Sequence, residues 1–99
     1  MKSPAACRNL GDVRVAVNAI DRRLLRLLAT RSGYAEAALR FKTDRKMIGQ
    51  ASHRRVLYAQ RRAWAAQDGV DVRLVDRIFR AIFAESKRMH LAGFGKRGR

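Results

Sequence analysis

The sequence has few of the residues that build disulfides, metal sites or membrane-spanning helices. It contains one cysteine, Cys7, so no internal disulfide can form, and its two histidines, His53 and His90, form no metal-ligand cluster with that cysteine. No apolar run approaches the roughly 20 residues that cross a bilayer. The N-terminus lacks the apolar centre of a secretory signal. These absences predict a soluble cytoplasmic protein that uses no metal and no other cofactor.

Proline is also scarce. The single proline, Pro4, lies near the N-terminus, and few glycines interrupt the body of the chain, which favours helices throughout. A chain of 99 residues has the length of one small domain. We therefore expect residues 1–99 to form a single domain, with loosely ordered tails at 1–10 and 93–99.

Acidic residues are few relative to basic ones. Eight aspartates and glutamates against 23 lysines and arginines give a formal net charge of +15, which is typical of nucleic-acid-binding proteins. The alternative is a basic surface that aids solubility or attracts acidic ligands. The chain lacks interleaved aromatic residues for base stacking and has no clear helix-turn-helix pattern, so we rank a nucleic-acid-binding helical protein last.

Apolar residues at helical spacing predict three helices. The first begins at about Asp12, a candidate N-cap, and ends at about Lys42. Gly33 weakens this helix without breaking it. The second helix begins at about Ser52, another candidate N-cap, and ends at about Gln67.

Turn residues separate these helices. A polar loop at 43–50 joins the first two, and Gly69 stops the second helix because it can adopt the left-handed conformation. Asp71 then caps the third helix, which we expect to end before the basic tail at 93–99.

The length of the first helix predicts a dimer. About thirty residues make a rod of roughly 45 Å, whereas a compact domain of this size has a radius of gyration of about 13 Å. The apolar stripe of such a rod needs a second chain to cover it. We predict an all-α fold with three helices per chain, one of them long, in an intertwined homodimer with two equivalent sites.

Three cations along this helix indicate a pocket for a small dianion. Arg31 and Lys42 are separated by roughly 16 Å along the axis and by roughly 20° in angle, so both side chains can close on one ligand. Arg14 lies roughly 100° away and cannot reach that ligand within its own chain. If Arg14 belongs to the site, a partner subunit supplies it.

Part of the sequence resembles the first helix of a known family. The resemblance lies in Arg14, Lys42 and the run at 20–31, which contains the motif Ile-Asp-x-x-Leu-Leu. The stretches 62–65, 69–71 and 75–82 are similar to its second and third helices. This family is the all-helical chorismate mutases, and the resemblance covers residues 8–92. Isochorismate-pyruvate lyases and aminodeoxychorismate mutases share the scaffold and much of the pattern.

The resemblance implies a role for each cation. Arg31 and Arg14 of the partner subunit would bind the two carboxylates of chorismate, and Lys42 would donate to the ether oxygen and a nearby carboxylate. Conversion of chorismate to prephenate is pericyclic and needs no nucleophile or proton transfer. It needs the folded substrate conformer and positive charge at the ether oxygen. We therefore expect a chorismate mutase, with an isochorismate-pyruvate lyase that forms salicylate, or an aminodeoxychorismate mutase, as the alternatives.

The sequence departs from the family pattern at two places. Where the family offers a glutamine as second donor to the ether oxygen, this chain has His90, which we expect to be catalytic together with Lys42. We expect turnover to fall as the pH rises through the titration of His90; the alternative is that His90 only caps a helix end. At the start of the second helix the family often has Arg-Glu. This chain has His53 and Arg54 without a glutamate, so either residue could bind substrate or lie in solvent.

Other charged and aromatic residues have structural interpretations. We expect Asp21 to be an ion-pair partner and Trp64 to lie in the core. A solvated stripe is expected to comprise Arg22, Arg23 and Arg26.

Overall fold

The computed structural model describes the backbone of residues 2–97, together with every side chain in that range except those of residues 51, 96 and 97. Within this range the chain is helical, without strands. In chain order its elements are a 3₁₀ turn Pro4–Ala6, helix α1 Leu10–Leu39, a 3₁₀ turn Arg45–Met47, helix α2 Ala51–Asp68 and helix α3 Val72–Arg97. The prediction of an all-α chain with three helices, one of them long, is confirmed.

The chain divides into two compact units, and their boundary lies within α1. The first unit ends at Tyr34 and the second begins at Ala35. None of the described helices is long and apolar enough to cross a membrane. Across the described residues, histidine, cysteine and acidic side chains form no group of three that could hold a metal ion.

Helix α1 begins with two hydrogen bonds between side chains and the main chain. The side-chain oxygen of Asn9 accepts from the N–H of Asp12 at 2.8 Å, and the carboxylate of Asp12 accepts from the N–H of Arg8 at 3.0 Å. Asn9 therefore caps the helix, and the prediction that Asp12 is the N-cap was wrong. Asp12 lies in the first turn instead, where its negative charge is favourable. Its carboxylate also bonds the ammonium of Lys2 at 3.1 Å, which ties the segment before α1 to the helix.

The apolar face of α1 is exposed within the first unit. Val13, Val17, Ile20, Leu24 and Leu28 recur at helical spacing, and between 41% and 51% of the surface of each is accessible. We call these five residues the α1 stripe. They fall within a sector of roughly 80° around the helix axis.

No residue of α1, which the structure describes completely, is buried. The helix continues through Gly33 as predicted. Arg22, Arg23 and Arg26 are exposed, which confirms the predicted solvated stripe.

Helix α1 ends at Leu39, three residues before the predicted end. The N–H groups of Arg40, Phe41 and Lys42 each donate to the carbonyl three residues earlier, so the last turn tightens before the chain leaves the helix. Lys42 therefore lies beyond α1. The helical angle that placed Lys42 on the same face as Arg31 does not apply to it.

The core of the second unit lies between α2 and α3. Its buried apolar residues are Ile48, Ala65 and Phe83. The ring of Phe83 meets the edge of Tyr58 at 5.2 Å between centroids and lies 5.7 Å from Phe79. These aromatic contacts fix how the two helices pack.

Two side chains of α2 lie at the margin of this core. Arg62 binds the carboxylate of Asp76 on α3 at 2.8 Å. Trp64 is 52% exposed, so the prediction that it lies in the core was wrong. The guanidinium of Arg61 lies 5.3 Å from the Trp64 ring, which gives the indole a cation–π contact at the surface.

The turn between α2 and α3 matches the sequence prediction. Gly69 ends α2 with a φ of 71°, in the left-handed region. Asp71 Oδ1 accepts from the N–H of Arg73 at 2.9 Å and caps α3. The start of α2 differs, because the helix begins at Ala51 and the predicted N-cap Ser52 lies inside it.

Helix α3 continues into the segment that was predicted to be a flexible tail. It ends at Arg97, so residues 93–97 are helical; residues 98 and 99 of that predicted tail lie outside the described residues. At Gly93 the helix passes close to the end of α1, where a β-carbon would lie 2.6 Å from Leu39 Cδ2. A larger residue at 93 would require Leu39 to move.

Candidate active site

The predicted site residues are distributed over both compact units. Arg14 and Arg31 are on α1 in the first unit, where Arg14 is exposed and Arg31 is half-buried. The other four predicted residues are in the second unit, and they are Lys42, His53, Arg54 and His90. Lys42 is half-buried in the turn after α1.

His90 is a buried polar residue of the second unit, at 6% exposure. Its Nε2 lies 2.6 Å from the main-chain carbonyl oxygen of Ala35. A carbonyl oxygen can only accept, so Nε2 carries a hydrogen and donates it to Ala35. His90 therefore connects α3 to the last turns of α1.

This hydrogen bond restricts what His90 can do chemically. In a neutral imidazole only one ring nitrogen has a hydrogen, and here that hydrogen is already committed to Ala35. Nδ1 of the neutral ring is then an acceptor. His90 can donate a hydrogen bond to a ligand only as the imidazolium, in which Nδ1 also has a hydrogen.

Arg54 is held against a loop glycine. It lies in the first turn of α2 and is half-buried. A β-carbon on Gly49 would be 2.9 Å from Arg54 Nη2 and 2.8 Å from Lys87 Cδ. The structure thus brings two cationic side chains, one from α2 and one from α3, to the same loop residue.

His53 differs from its neighbour Arg54. Its side chain is exposed, whereas that of Arg54 is half-buried against the loop. Of the two residues between which the sequence could not choose, Arg54 is the one whose side chain packs against the loop at Gly49.

Ion pairs link several basic side chains of the described residues to acidic ones. They join Lys2 and Arg8 to Asp12, Arg62 to Asp76, and Arg88 to Glu85. In the described part of the chain Asp21 takes part in no ion pair, so the prediction of a structural partner was wrong.

The nearby acids change the pKa values of these groups in the expected directions. The side-chain hydrogen bond from Arg88, and then its charge, lower the pKa of Glu85. Asp76, through its hydrogen bond and its charge, raises the pKa of Arg62. Both acids bind a basic partner within the second unit.

Sequence reasoning did not identify the approach of Lys87 to Gly49. Lys87 is one helical turn before His90, so the two residues lie on neighbouring parts of one face of α3. That spacing is a signal that could have identified Lys87. Its approach to Gly49 joins residues 38 positions apart in the chain and was not visible in the sequence.

An open depression of about 360 Å³ lies near the start of α1 in the first unit. It is lined by Lys2, Asp12, Val15 and Ala16. None of the predicted site residues lines it, so this depression does not mark the predicted site.

Comparison with known proteins decides the family. Residues 13–91 match the family model described as chorismate mutase type II. This chain belongs to the type II chorismate mutase family. The resemblance that the sequence motifs indicated is thereby confirmed. The matched segment contains all six predicted site residues and Lys87.

A curated relative gives a second comparison. An isochorismate pyruvate lyase of Pseudomonas aeruginosa is 33% identical to this type II chorismate mutase family member over 82 residues. The aligned segment covers 83% of this chain and 81% of the lyase. The similarity therefore extends over most of both proteins.

Proposed function

We propose that this protein is an enzyme that acts on a chorismate-type dianion, and that its reaction is the conversion of isochorismate to salicylate and pyruvate. The observation that carries the proposal is the 33% identity with the lyase over most of both chains. The start of α2 also supports it. There Ser52, His53, Arg54 and Arg55 follow one another without the glutamate that many mutases have.

The proposed reaction needs no group that the chain lacks. As the ether C–O bond breaks, one hydrogen moves from the ring to the methylene carbon of the enolpyruvyl group. The ring becomes salicylate and the side chain leaves as pyruvate, so all atoms stay within the two products. Positioning and electrostatic stabilisation of the ether oxygen are what the protein has to supply.

Four of the six predicted residues have a role in this proposal. Arg31 and Arg14 of the partner subunit bind the two carboxylates, since guanidinium groups match carboxylates in bidentate geometry. Lys42 donates to the ether oxygen as negative charge develops there. His90 is the second donor, and it fills that role as the imidazolium because its Nε2 hydrogen is bound to Ala35.

The second candidate is chorismate mutase activity in the same site. The match of residues 13–91 to the chorismate mutase family model favours it. The rearrangement of chorismate to prephenate requires the same binding of two carboxylates and the same charge at the ether oxygen. The two substrates differ in the ring position of the hydroxyl group, and the two reactions differ in whether a hydrogen migrates.

A homodimer is part of the proposal. The α1 stripe is between 41% and 51% exposed in the single chain, although its residues are those that usually form helix interfaces. Pairing of two α1 stripes would remove this surface from water. It would also let each site receive Arg14 of the partner subunit.

A substrate panel tests the proposed function. Purified protein is given isochorismate, chorismate and aminodeoxychorismate separately, and the products are identified by chromatography. We expect salicylate and pyruvate in equal amounts from isochorismate. Prephenate as the main product would support the second candidate, and no turnover of any of the three would contradict the proposal.

Mixing two inactive variants tests whether the site is shared. Arg14→Ala and Arg31→Ala are each expected to lose at least a hundredfold in kcat/KM. When the two are unfolded together and refolded, half of the dimers are heterodimers with one intact site, so about a quarter of the wild-type activity should return. Arg22→Ala, on the solvated stripe, is the control. No recovery on mixing would show that Arg14 and Arg31 do not meet across the dimer.

A further inference from the structure

The last turns of α3 hold the chain before Lys42 at two points. His90 donates a hydrogen bond to the carbonyl of Ala35 over 2.6 Å. At Gly93 the helix comes so close to α1 that a β-carbon would lie 2.6 Å from Leu39 Cδ2. Both contacts lie within the second compact unit. The end of α1, which Lys42 follows by three residues, is therefore packed against α3.

The same helix also contacts the chain after Lys42. The guanidinium carbon of Arg45 lies 5.8 Å from the centroid of the Phe94 ring, a distance typical of a cation–π contact. A β-carbon on Gly95 would lie 3.8 Å from Arg45 Nη2, so the guanidinium reaches the helix surface beside the ring. Phe94 is half-buried. The contact is made by the part of α3 that the sequence predicted to be a flexible tail.

The contacts before and after Lys42 come from one face of α3. His90, Gly93 and Phe94 occupy positions i, i+3 and i+4 of a continuous helix, which place them on the same side. Residues 40–44 are the chain between the two sets of contacts. Lys42 is at the middle of this short segment, so both of its flanks are held by the same helix face.

The turn that contains Arg45 is tied to the residue next to Lys42. The carbonyl of Arg45 accepts from the N–H of Ile48 at 3.0 Å, and Ile48 is buried. The sulfur of Met47 accepts from the N–H of Thr43 at 3.4 Å. Because these bonds connect the turn to both its ends, a restraint on the Arg45 side chain also restrains the main chain beside Lys42.

We propose that Phe94 is a positioning residue for Lys42 and that it acts through Arg45. The inference rests on the proposed function for the role of Lys42, which is to donate to the ether oxygen. The cation–π contact holds the turn where the Lys42 ammonium reaches that oxygen, and Phe94 itself does not touch the substrate. Misplacing a donor at the bond that breaks slows the chemical step more than it weakens substrate binding.

Steady-state kinetics test the coupling between the two residues. Phe94→Leu removes the ring and keeps an apolar side chain, whereas Phe94→Tyr keeps the ring. We expect Phe94→Leu to lower kcat about tenfold with KM within about twofold, and Phe94→Tyr to stay close to the wild type. Arg45→Met should match Phe94→Leu. The double variant should lose no more than either single one, because both changes remove the same contact.

A matched control removes an aromatic ring from another cation–π contact at the surface. The guanidinium of Arg61 lies 5.3 Å from the ring of Trp64, and both residues are on α2. Trp64→Leu should therefore leave kcat within about twofold of the wild type. A general loss of packing at the surface would affect this variant as well, whereas a loss of positioning at Lys42 would not.

Amide exchange measures the restraint on the turn without turnover. The N–H groups of Met47 and Ile48 donate to carbonyls within the turn, and that of Val75 donates at the start of α3. In Phe94→Leu we expect the Met47 and Ile48 amides to exchange with water at least about fivefold faster than in the wild type. The Val75 amide should exchange at an unchanged rate. NMR of the ¹⁵N-labelled full chain measures all three.

The outcomes separate this inference from the proposed function. Unchanged kcat or unchanged amide exchange in Phe94→Leu would overturn the inference, and so would additive losses in the double variant with Arg45→Met. A loss of kcat that Phe94→Tyr or Trp64→Leu shares equally would also overturn it, because the ring and its contact would then not be the cause. Faster exchange of the turn in Phe94→Leu, with no turnover by the wild type, would overturn the proposed function and leave the restraint on the turn in place.

Discussion

The imidazole Nε2 of His90 donates a hydrogen bond to the main-chain carbonyl oxygen of Ala35 over 2.6 Å. The contact joins α3 to the end of α1 and leaves Nδ1 as the only other polar atom of the ring. Because Nδ1 has a hydrogen only in the imidazolium, the charge of His90 decides whether it can donate to a ligand. A glutamine at this position would donate at every pH.

The first prediction concerns His90 as a donor to the ether oxygen. We expect His90→Ala to lower kcat, because it removes the second donor at the bond that breaks. His90→Gln should retain more activity than His90→Ala, since an amide also donates a hydrogen bond. The measurement is kcat of the wild type and both variants at one pH. An unaffected His90→Ala variant would contradict a catalytic role for His90.

The second prediction concerns the oligomeric state. Leu24 is central in the α1 stripe, and a glutamate there would place a charge in the proposed interface. We expect Leu24→Glu to be monomeric in sedimentation-velocity experiments and to lose activity. Val15→Glu is the matched control, because Val15 is 70% exposed and lies on the opposite side of the helix. Identical sedimentation of both variants and the wild type would argue against pairing through this stripe.

The third prediction concerns stability. Phe83 is 8% exposed and contacts the rings of Tyr58 and Phe79. Phe83→Ala should lower the free energy of unfolding by about 3–5 kcal/mol, the range found for buried aromatic residues. Urea denaturation followed by circular dichroism measures it. Phe41→Ala, at a residue 71% exposed, should change the same quantity much less. Comparable losses in the two variants would place the core elsewhere.

The fourth prediction concerns Asp12. The N–H of Arg8, and then the side chain of Lys2, lower the pKa of this carboxyl below its ordinary value. A lowered pKa in the folded state means that the ionised carboxylate stabilises the fold above the pKa of the unfolded chain, and that this contribution is lost as the pH falls through the folded value. The difference in melting temperature between wild type and Asp12→Asn should therefore shrink on acidification. A difference that grows at low pH would contradict the assigned contacts.

Local signals predicted the helix ends that depend on neighbouring residues only. Gly69 and Asp71 stop one helix and start the next through contacts within four residues, and both were identified correctly. Asn9 was missed because two candidate caps stand three residues apart. The choice between Asn9 and Asp12 depends on the bond that the carboxylate makes to Arg8.

Contacts between distant parts of the chain were beyond sequence reasoning. The sequence indicated that His90 could donate to a ligand, but not that Ala35 already takes its Nε2 hydrogen. Lys87 and Arg54 are 33 positions apart, and only the packing of α2 on α3 brings them to one loop. Lys42 was placed on α1 because nothing in the sequence marks the tightening of its last turn.

The close passage of α3 at Gly93 has a consequence for the chemistry of the protein. Gly93 lies nearly one turn after His90 on α3, and Leu39 lies one turn after Ala35 on α1. The close approach of Gly93 to Leu39 is therefore next to the hydrogen bond between His90 and Ala35, and it sets how near the imidazole comes to that carbonyl. A single methyl group at position 93 would push the helices apart or displace the leucine. A hydrogen bond made by a side chain of α3 depends in this way on a neighbour that has no side chain at all.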